Sequence, residues 1–287
     1  EFLGNLSQVE KLDIKGNPLL RFVRLGLGSG TLRSVKISRN DKLESLEGLE
    51  NISEVAGQLV LKDNGNSSAI LAAFGNLARV GTLWLEGLGS LRSLDGFFDL
   101  HEAKDIHIVK NAGLISLPTL GNLSSLRNLR VESNGNLNTL EFLGNLSQVE
   151  KLDIKGNPLL RFVRLGLGSG TLRSVKISRN DKLESLEGLE NISEVAGQLV
   201  LKDNGNSSAI LAAFGNLARV GTLWLEGLGS LRSLDGFFDL HEAKDIHIVK
   251  NAGLISLPTL GNLSSLRNLR VESNGNLNTL EFLGNLS

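Results

Sequence analysis

The chain has no cysteine. That absence excludes a disulfide scaffold and any thiolate metal site, and it leaves the compartment open, because a long solenoid needs no staples. Proline is scarce, with four in 287 residues. Charge of either sign is not in excess: 30 Lys and Arg stand against 31 Asp and Glu, for a net charge of −1. The two signs are interspersed, so no basic stripe exists to hold nucleic acid, and no nucleic-acid partner is expected. Long apolar runs are also missing. None approaches the roughly 18–20 residues of a membrane span. The first residues show neither an initiator Met nor a signal peptide, which predicts a mature or excised segment.

Against these absences, 41% of the residues are hydrophobic and 33 are Gly. The composition therefore supports a packed core with many tight corners. The dominant feature is a repeat. Residues 141–280 duplicate residues 1–140 without a substitution, and "EFLGNLS" at Glu1–Ser7 returns at Glu141–Ser147 and again at Glu281–Ser287. The predicted organisation is one continuous solenoid: unit 1 over 1–140, an identical unit 2 over 141–280, and the start of a third over 281–287.

Within each unit runs a weaker repeat of 22–25 residues, with coils starting at Leu3, Leu25, Leu49, Phe74, Phe98 and Leu120. The best-formed coil reads "LGNLSSLRNLRVESNGNLNTL". Each coil contains a step of two apolar residues flanking one other: Leu12/Ile14, Val35/Ile37, Leu59/Leu61, Leu83/Leu85, Ile106/Ile108 and Leu129/Val131. Period two marks a half-buried strand. One coil cannot bury its own apolar face, whereas stacked coils share a core and pair as parallel strands about 4.8 Å apart. Three residues after the step stands an Asn in five of six coils, at Asn17, Asn40, Asn64, Asn111 and Asn134, with Leu88 in the fourth. A buried corner suits Asn, whose amide can satisfy turning backbone and bond to the Asn of the next coil. An inward ladder is expected, the alternative being Asn on exposed turns.

The phrases "ISRNDKLESLEGLENISEV" (Ile37–Val55) and "VESNGNLNTLEFLGNLSQV" (Val131–Val149) resemble leucine-rich repeats. They are most similar to the receptor L domain branch, also found in fungal cell-surface proteins with glycolipid anchors. The resemblance implies a mainly β, right-handed parallel solenoid with little helix. Receptor L domains usually have cysteine-stapled ends; this chain departs from that pattern. Short Gly-rich back segments such as "LGLGSGTLRS" predict two or three parallel sheets with short helical turns at most.

Four N-x-[S/T] sequons fall in one unit, at Asn5, Asn51, Asn66 and Asn122, with copies at Asn145, Asn191, Asn206 and Asn262; Asn285 begins a third set. They predict N-linked glycans if the chain is secreted by a eukaryotic cell. Asn5, Asn51 and Asn122 share the Asn of "GNL" or its equivalent, so one flank of the solenoid would carry them. The residues between the paired apolar positions are predicted to point outward, and there Val60, Trp84 and His107 form an apolar and aromatic patch, repeated at Val200, Trp224 and His247. Such a patch suits a partner or a sugar ring, or cover by a loop or a neighbouring filament strand.

Catalytic motifs are weak. "GLGSGT" (Gly26–Thr31) lacks the Lys of a P-loop and reads as a tight corner. His101 and His107, with Glu102 and Asp105 nearby, lack metalloprotease spacing. No enzyme activity, cofactor or metal is expected. The leading expectation is an extracellular or cell-surface structural fibre or stalk, glycosylated, whose partners are further copies of itself. A receptor-like or cell-wall ectodomain gripping a glycan or protein is the alternative, and a concatenated copy of one natural unit is a third.

Overall fold

The structure is a computed structural model, and it describes residues 9–28, 30–117, 120, 123–143, 146–168, 170–257, 263 and 265–280. The chain divides into two compact units, Glu1–Leu146 and Ser147–Ser287. Each is a mainly β, all-parallel solenoid with little helix.

In the first unit the order along the chain is β1 (Lys11–Lys15), β2 (Phe22–Arg24), β3 (Gly30–Asn40), β4 (Ser45–Glu47), β5 (Ile52–Asn64), α1 (Ser67–Ala72), β6 (Arg79–Glu86), a 3₁₀ turn (Asp95–Phe97), β7 (Glu102–Val109), β8 (Ser116–Leu117), β9 (Ser125–Glu132) and β10 (Thr139–Leu143). The main sheet runs β1-β3-β5-β6-β7-β9, and every described pair is parallel. The paired apolar positions stack in register. One column is Leu12, Val35, Leu59, Leu83, Ile106 and Leu129; the other is Ile14, Ile37, Leu61, Leu85, Ile108 and Val131. From Val35 onward these side chains are buried, so the period-two step in the sequence is the wall of the core.

The back of the coil varies. β2 pairs with β4 and β8 with β10, whereas coils three and four carry α1 and the 3₁₀ turn instead. The change follows composition. "SSAILA" has good helix formers behind Asn66, whose side chain caps the helix by accepting from the Ala69 N–H.

All six main-sheet strands outrun the three-residue step, and two are much the longest. β3 has 11 residues and β5 has 13, and the β5 register slips against both neighbours around Ala56 and Gly57. This is a β-bulge. A Cβ on Gly57 would strike the Arg33 carbonyl oxygen, so the close approach there requires glycine.

Each main-sheet strand has a residue with left-handed backbone next to its end: Gly16 (φ 69°), Arg39 (56°), Asp63 (49°), Gly87 (65°), Lys110 (55°) and Ser133 (58°). The residue after it is the recurrent Asn, or Leu88 in coil four. A single left-handed residue turns the extended chain through the corner, a conformation that costs about 1–2 kcal/mol for a non-glycine side chain. The corner is held by the asparagine that follows.

The second unit repeats these elements. Its main-sheet strands are Gln148–Lys155, Gly170–Asn180, Ile192–Asn204, Arg219–Glu226, Glu242–Val249 and Asn268–Glu272, and its helix is Ser207–Ala212.

Candidate functional site

The asparagine corners form the best-ordered polar array. Four of the amides in the first unit work in two directions. Nδ2 donates to the carbonyl of the last inward strand residue one coil earlier: Asn40 to Ile14 O (3.0 Å), Asn64 to Ile37 O (2.7 Å), Asn111 to Leu85 O (3.1 Å) and Asn134 to Ile108 O (3.0 Å). Oδ1 accepts the backbone N–H at the corner of that earlier coil: from Asn17 (3.1 Å), Asn40 (3.3 Å), Leu88 (3.0 Å) and Asn111 (2.9 Å). Side chains also bond directly, Asn17 Nδ2 to Asn40 Oδ1 at 3.2 Å and Asn40 Nδ2 to Asn64 Oδ1 at 3.1 Å. Asn40, Asn64, Asn111 and Asn134 are buried, and without these bonds each corner would strand backbone groups in the core.

Beside Leu88, which interrupts the array, Ser90 ties a different pair of backbone groups in the preceding coil. Its hydroxyl accepts from Ser67 N–H at 2.9 Å and donates to the Gly65 carbonyl at 3.0 Å. Sequence reading missed this contact because the hydroxyl sits off the repeat position.

The outward row lies across the main sheet in register: Asp13, Lys36, Val60, Trp84, His107 and Arg130. Val60, Trp84 and His107 are all partly exposed. The Trp84 and His107 rings stack with centroids 4.9 Å apart and planes 21° apart; Trp224 and His247 repeat this at 4.7 Å and 26°. That separation equals the spacing of paired strands, about 4.8 Å. The rings therefore stack along the ladder, and the imidazole covers one face of the indole. The indole N–H donates to Glu86 Oε2 at 3.0 Å. In the second unit Val200 pairs with Trp224 and Trp224 with His247.

Carboxylates flank the stack. Lys62 Nζ meets Glu86 Oε1 at 2.8 Å. Burial alone would raise the Glu86 carboxyl, but the Lys62 ammonium and the Trp84 N–H outweigh it and hold it below its ordinary value. Asp105 is buried although its row faces outward, because Arg127 and Asn128 of the next coil close on its carboxylate, with Arg127 Nη2 at 2.5 Å from Oδ2. Burial again pushes its carboxyl up. The hydrogen bonds from Arg127 and Asn128, with the charges of Arg127 and His107, prevail and lower it.

A carboxyl whose folded-state value lies below its unfolded value, near 3.9 for Asp, contributes stability that is complete above that unfolded value. The contribution is lost as pH falls through the folded value. Urea stability of the chain is therefore expected to decline on acidification below about pH 4, and Asp105→Asn should flatten that decline. An unchanged pH slope in the variant would remove Asp105 from the account.

Of the described sequon residues, Asn51, Asn66, Asn191 and Asn206 are exposed. Asn66 and Asn206 use Oδ1 to cap their helices, at 3.4 and 3.5 Å from the N–H they accept. Asn51 and Asn191 sit on turns, and their side chains make no hydrogen bond among the described residues. Asn76 occupies the same coil position as Asn51 but lacks a sequon, and its Nδ2 donates to the Glu50 carbonyl at 2.6 Å. Asn5, Asn122, Asn145, Asn262 and Asn285 lie outside the described residues.

The Gly26–Thr31 segment leads into strand β3. His101 Nδ1 lies 3.0 Å from the Asp99 carbonyl oxygen, and among the described residues no three His, Asp or Glu side chains converge as a metal site would require. No helix among the described residues is long and apolar enough to cross a membrane.

No protein-family model matches the chain, and no curated protein matches it. What the fold defines is a class: a parallel β-solenoid with asparagine-bonded corners and an outward aromatic stack in each unit.

Proposed function

We propose that the chain is a segment of an extracellular or cell-surface structural protein, a fibre or stalk of tandem solenoid units carrying N-linked glycans and associating with further copies of itself. The observation that carries this reading is the identity of the two 140-residue copies together with the same coil-by-coil ladder in each. Identical units give identical edges, which a growing array can use repeatedly without a new contact type. A surface for recognising one partner is under no such demand for identity. The reading includes no catalytic role.

The glycan part draws support from the contrast between Asn51 and Asn76. At one coil position the amide committed to the neighbouring coil has no sequon, while the amide left uncommitted has one. A single transfer to Asn51 would break no bond in the fold. Secreted from a eukaryotic host, the chain is expected to lose mass on glycosidase treatment, and Asn51→Gln with Asn191→Gln should lower the glycosylated mass by two glycans. Equal masses before and after treatment would end the glycoprotein reading. For the fibre itself, electron micrographs of native material should show a rod whose length grows by about 29 Å per unit, six coils at 4.8 Å. Compact particles whose length is independent of unit number would rule it out.

Within the solenoid class we place the coils with leucine-rich repeats, nearest the receptor L domain branch. The support is the Asn three residues after the strand step, with an amide that spans two coils. An experimental structure with those amides turned to solvent would remove the assignment. A binding ectodomain remains the second reading, favoured by the half-exposed Trp84–His107 stack.

A further inference from the structure

The back of coils three and four holds a feature that neither the ladder nor the outward row uses. α1 and the 3₁₀ turn meet at backbone level, since a Cβ on Gly96 would lie 2.5 Å from the Leu71 carbonyl oxygen. Beside that meeting line opens a groove of about 350 Å³ in the first unit, and the same groove measures about 330 Å³ in the second. Its lining includes the apolar Leu71 and Ala72, the polar Ser68 and Asp95, and the ring of Phe98.

Phe97 and Phe98 are adjacent and have opposite fates. Phe97 is fully buried and stacks on Phe74, whereas Phe98 is 63% exposed and its copy Phe238 is 68% exposed. The Phe98 ring rests against Gly75, where a Cβ would sit 3.2 Å from ring atom Cε1. Nothing in the core requires an aromatic ring there. Across the groove, Asp95 Oδ2 accepts from the Ser93 hydroxyl at 2.7 Å, and its Oδ1 has no hydrogen-bond partner among the described residues. Neither does the Ser68 hydroxyl.

We infer that this groove is a carbohydrate subsite, one per 140-residue unit, which takes a neutral pyranose. The argument is chemical complementarity. A pyranose has a C–H face that packs on an aromatic ring, and an edge of hydroxyls that needs acceptors and donors. The groove lining offers an exposed ring, a carboxylate oxygen and a hydroxyl with no hydrogen-bond partner among the described residues, and apolar Leu71 and Ala72. Its volume lies at the lower end of ligand sites, where one sugar ring fits and a large ligand does not. The two copies give the chain two such subsites, one in each unit. This site is lined by α1 and the 3₁₀ turn and not by the main-sheet strand that carries Trp84, and it stands whether or not the chain forms fibres.

The test uses the full 287-residue chain, made without N-glycans, and saturation-transfer NMR with methyl α-mannopyranoside, methyl β-glucopyranoside and methyl β-N-acetylglucosaminide. At least one should receive saturation at its ring C–H protons, with a Kd on the order of millimolar for so small a ligand. Phe98→Ser with Phe238→Ser should weaken binding at least about tenfold (about 1.4 kcal/mol). Asp95→Asn with Asp235→Asn tests the groove without altering the ring. Trp84→Ala with Trp224→Ala should leave binding unchanged. The inference is overturned if none of the three sugars binds, if binding survives both groove pairs, or if only the tryptophan pair abolishes it.

Discussion

Asn111→Ala is expected to lower the stability of its coil by about 2–4 kcal/mol, because two buried backbone groups lose their partners at once. They are the Leu88 N–H, now bonded to Oδ1 at 3.0 Å, and the Leu85 carbonyl, now bonded to Nδ2 at 3.1 Å. Neither can reach water, since Leu85, Leu88 and Asn111 are all fully buried. Asn111→Leu separates hydrogen bonding from volume. Coil four already buries a leucine at this corner position, so the shape is tolerated and the bonds alone are lost. Asn136→Ala serves as control, because its bond to the Ala112 carbonyl at 2.7 Å is exposed to solvent. It should cost no more than about 1 kcal/mol. Urea denaturation with hydrogen exchange across Leu85–Leu88 reads the effect. A loss below about 1 kcal/mol for both Asn111 variants would show that the corners do not depend on the amide.

Phe97→Ala should be at least as damaging, at about 3–5 kcal/mol. The ring is fully buried and stacks on Phe74 with centroids 6.2 Å apart and planes 25° apart. It fills the core behind the 3₁₀ turn, where the Gly96 backbone already touches Leu71 and leaves little freedom to collapse into the void. Phe98→Ala, one residue along, should stay within about 0.5 kcal/mol of the parent. Thermal or urea melts of the two variants compare adjacent residues of the same type, so composition and local propensity cancel. If the two changes cost the same, the inward and outward assignment of this pair is wrong.

The legible part of the fold was the part written locally. The Leu83/Leu85 step reads as a strand because period two depends only on neighbouring residues, and its stacking follows from the repeat of about two dozen residues. Asn17, Asn40, Asn64, Asn111 and Asn134 were visible as corner residues for the same reason. The left-handed residue before each of them was not. Arg39, Asp63, Lys110 and Ser133 carry no glycine signal, and of the four only Asp63 belongs to a residue type that visits this conformation readily.

The candidate sites divide in the same way. Sequence placed Trp84 and His107 in one outward row, but their stacking follows from strand register and rotamer. Asp105 belongs to an outward row by pattern and is only 5% exposed, because Arg127 and Asn128 arrive from the next coil. Ser90 ties the Ser67 N–H and the Gly65 carbonyl of the preceding coil from a position that no repeat alignment singles out. The groove under Phe98 depends on α1 and the 3₁₀ turn lying side by side, and they are contributed by different coils.

By itself, then, the sequence determined the repeat, the strand step, the apolar columns and the asparagine corners, all of which recur at fixed spacing along the chain. Only the tertiary structure decided which asparagine amides are spent, which outward residues are covered and where a cleft opens. Those outcomes depend on side chains brought together from successive coils, 22 to 27 residues apart in the bonds described above, and no local pattern encodes such a meeting.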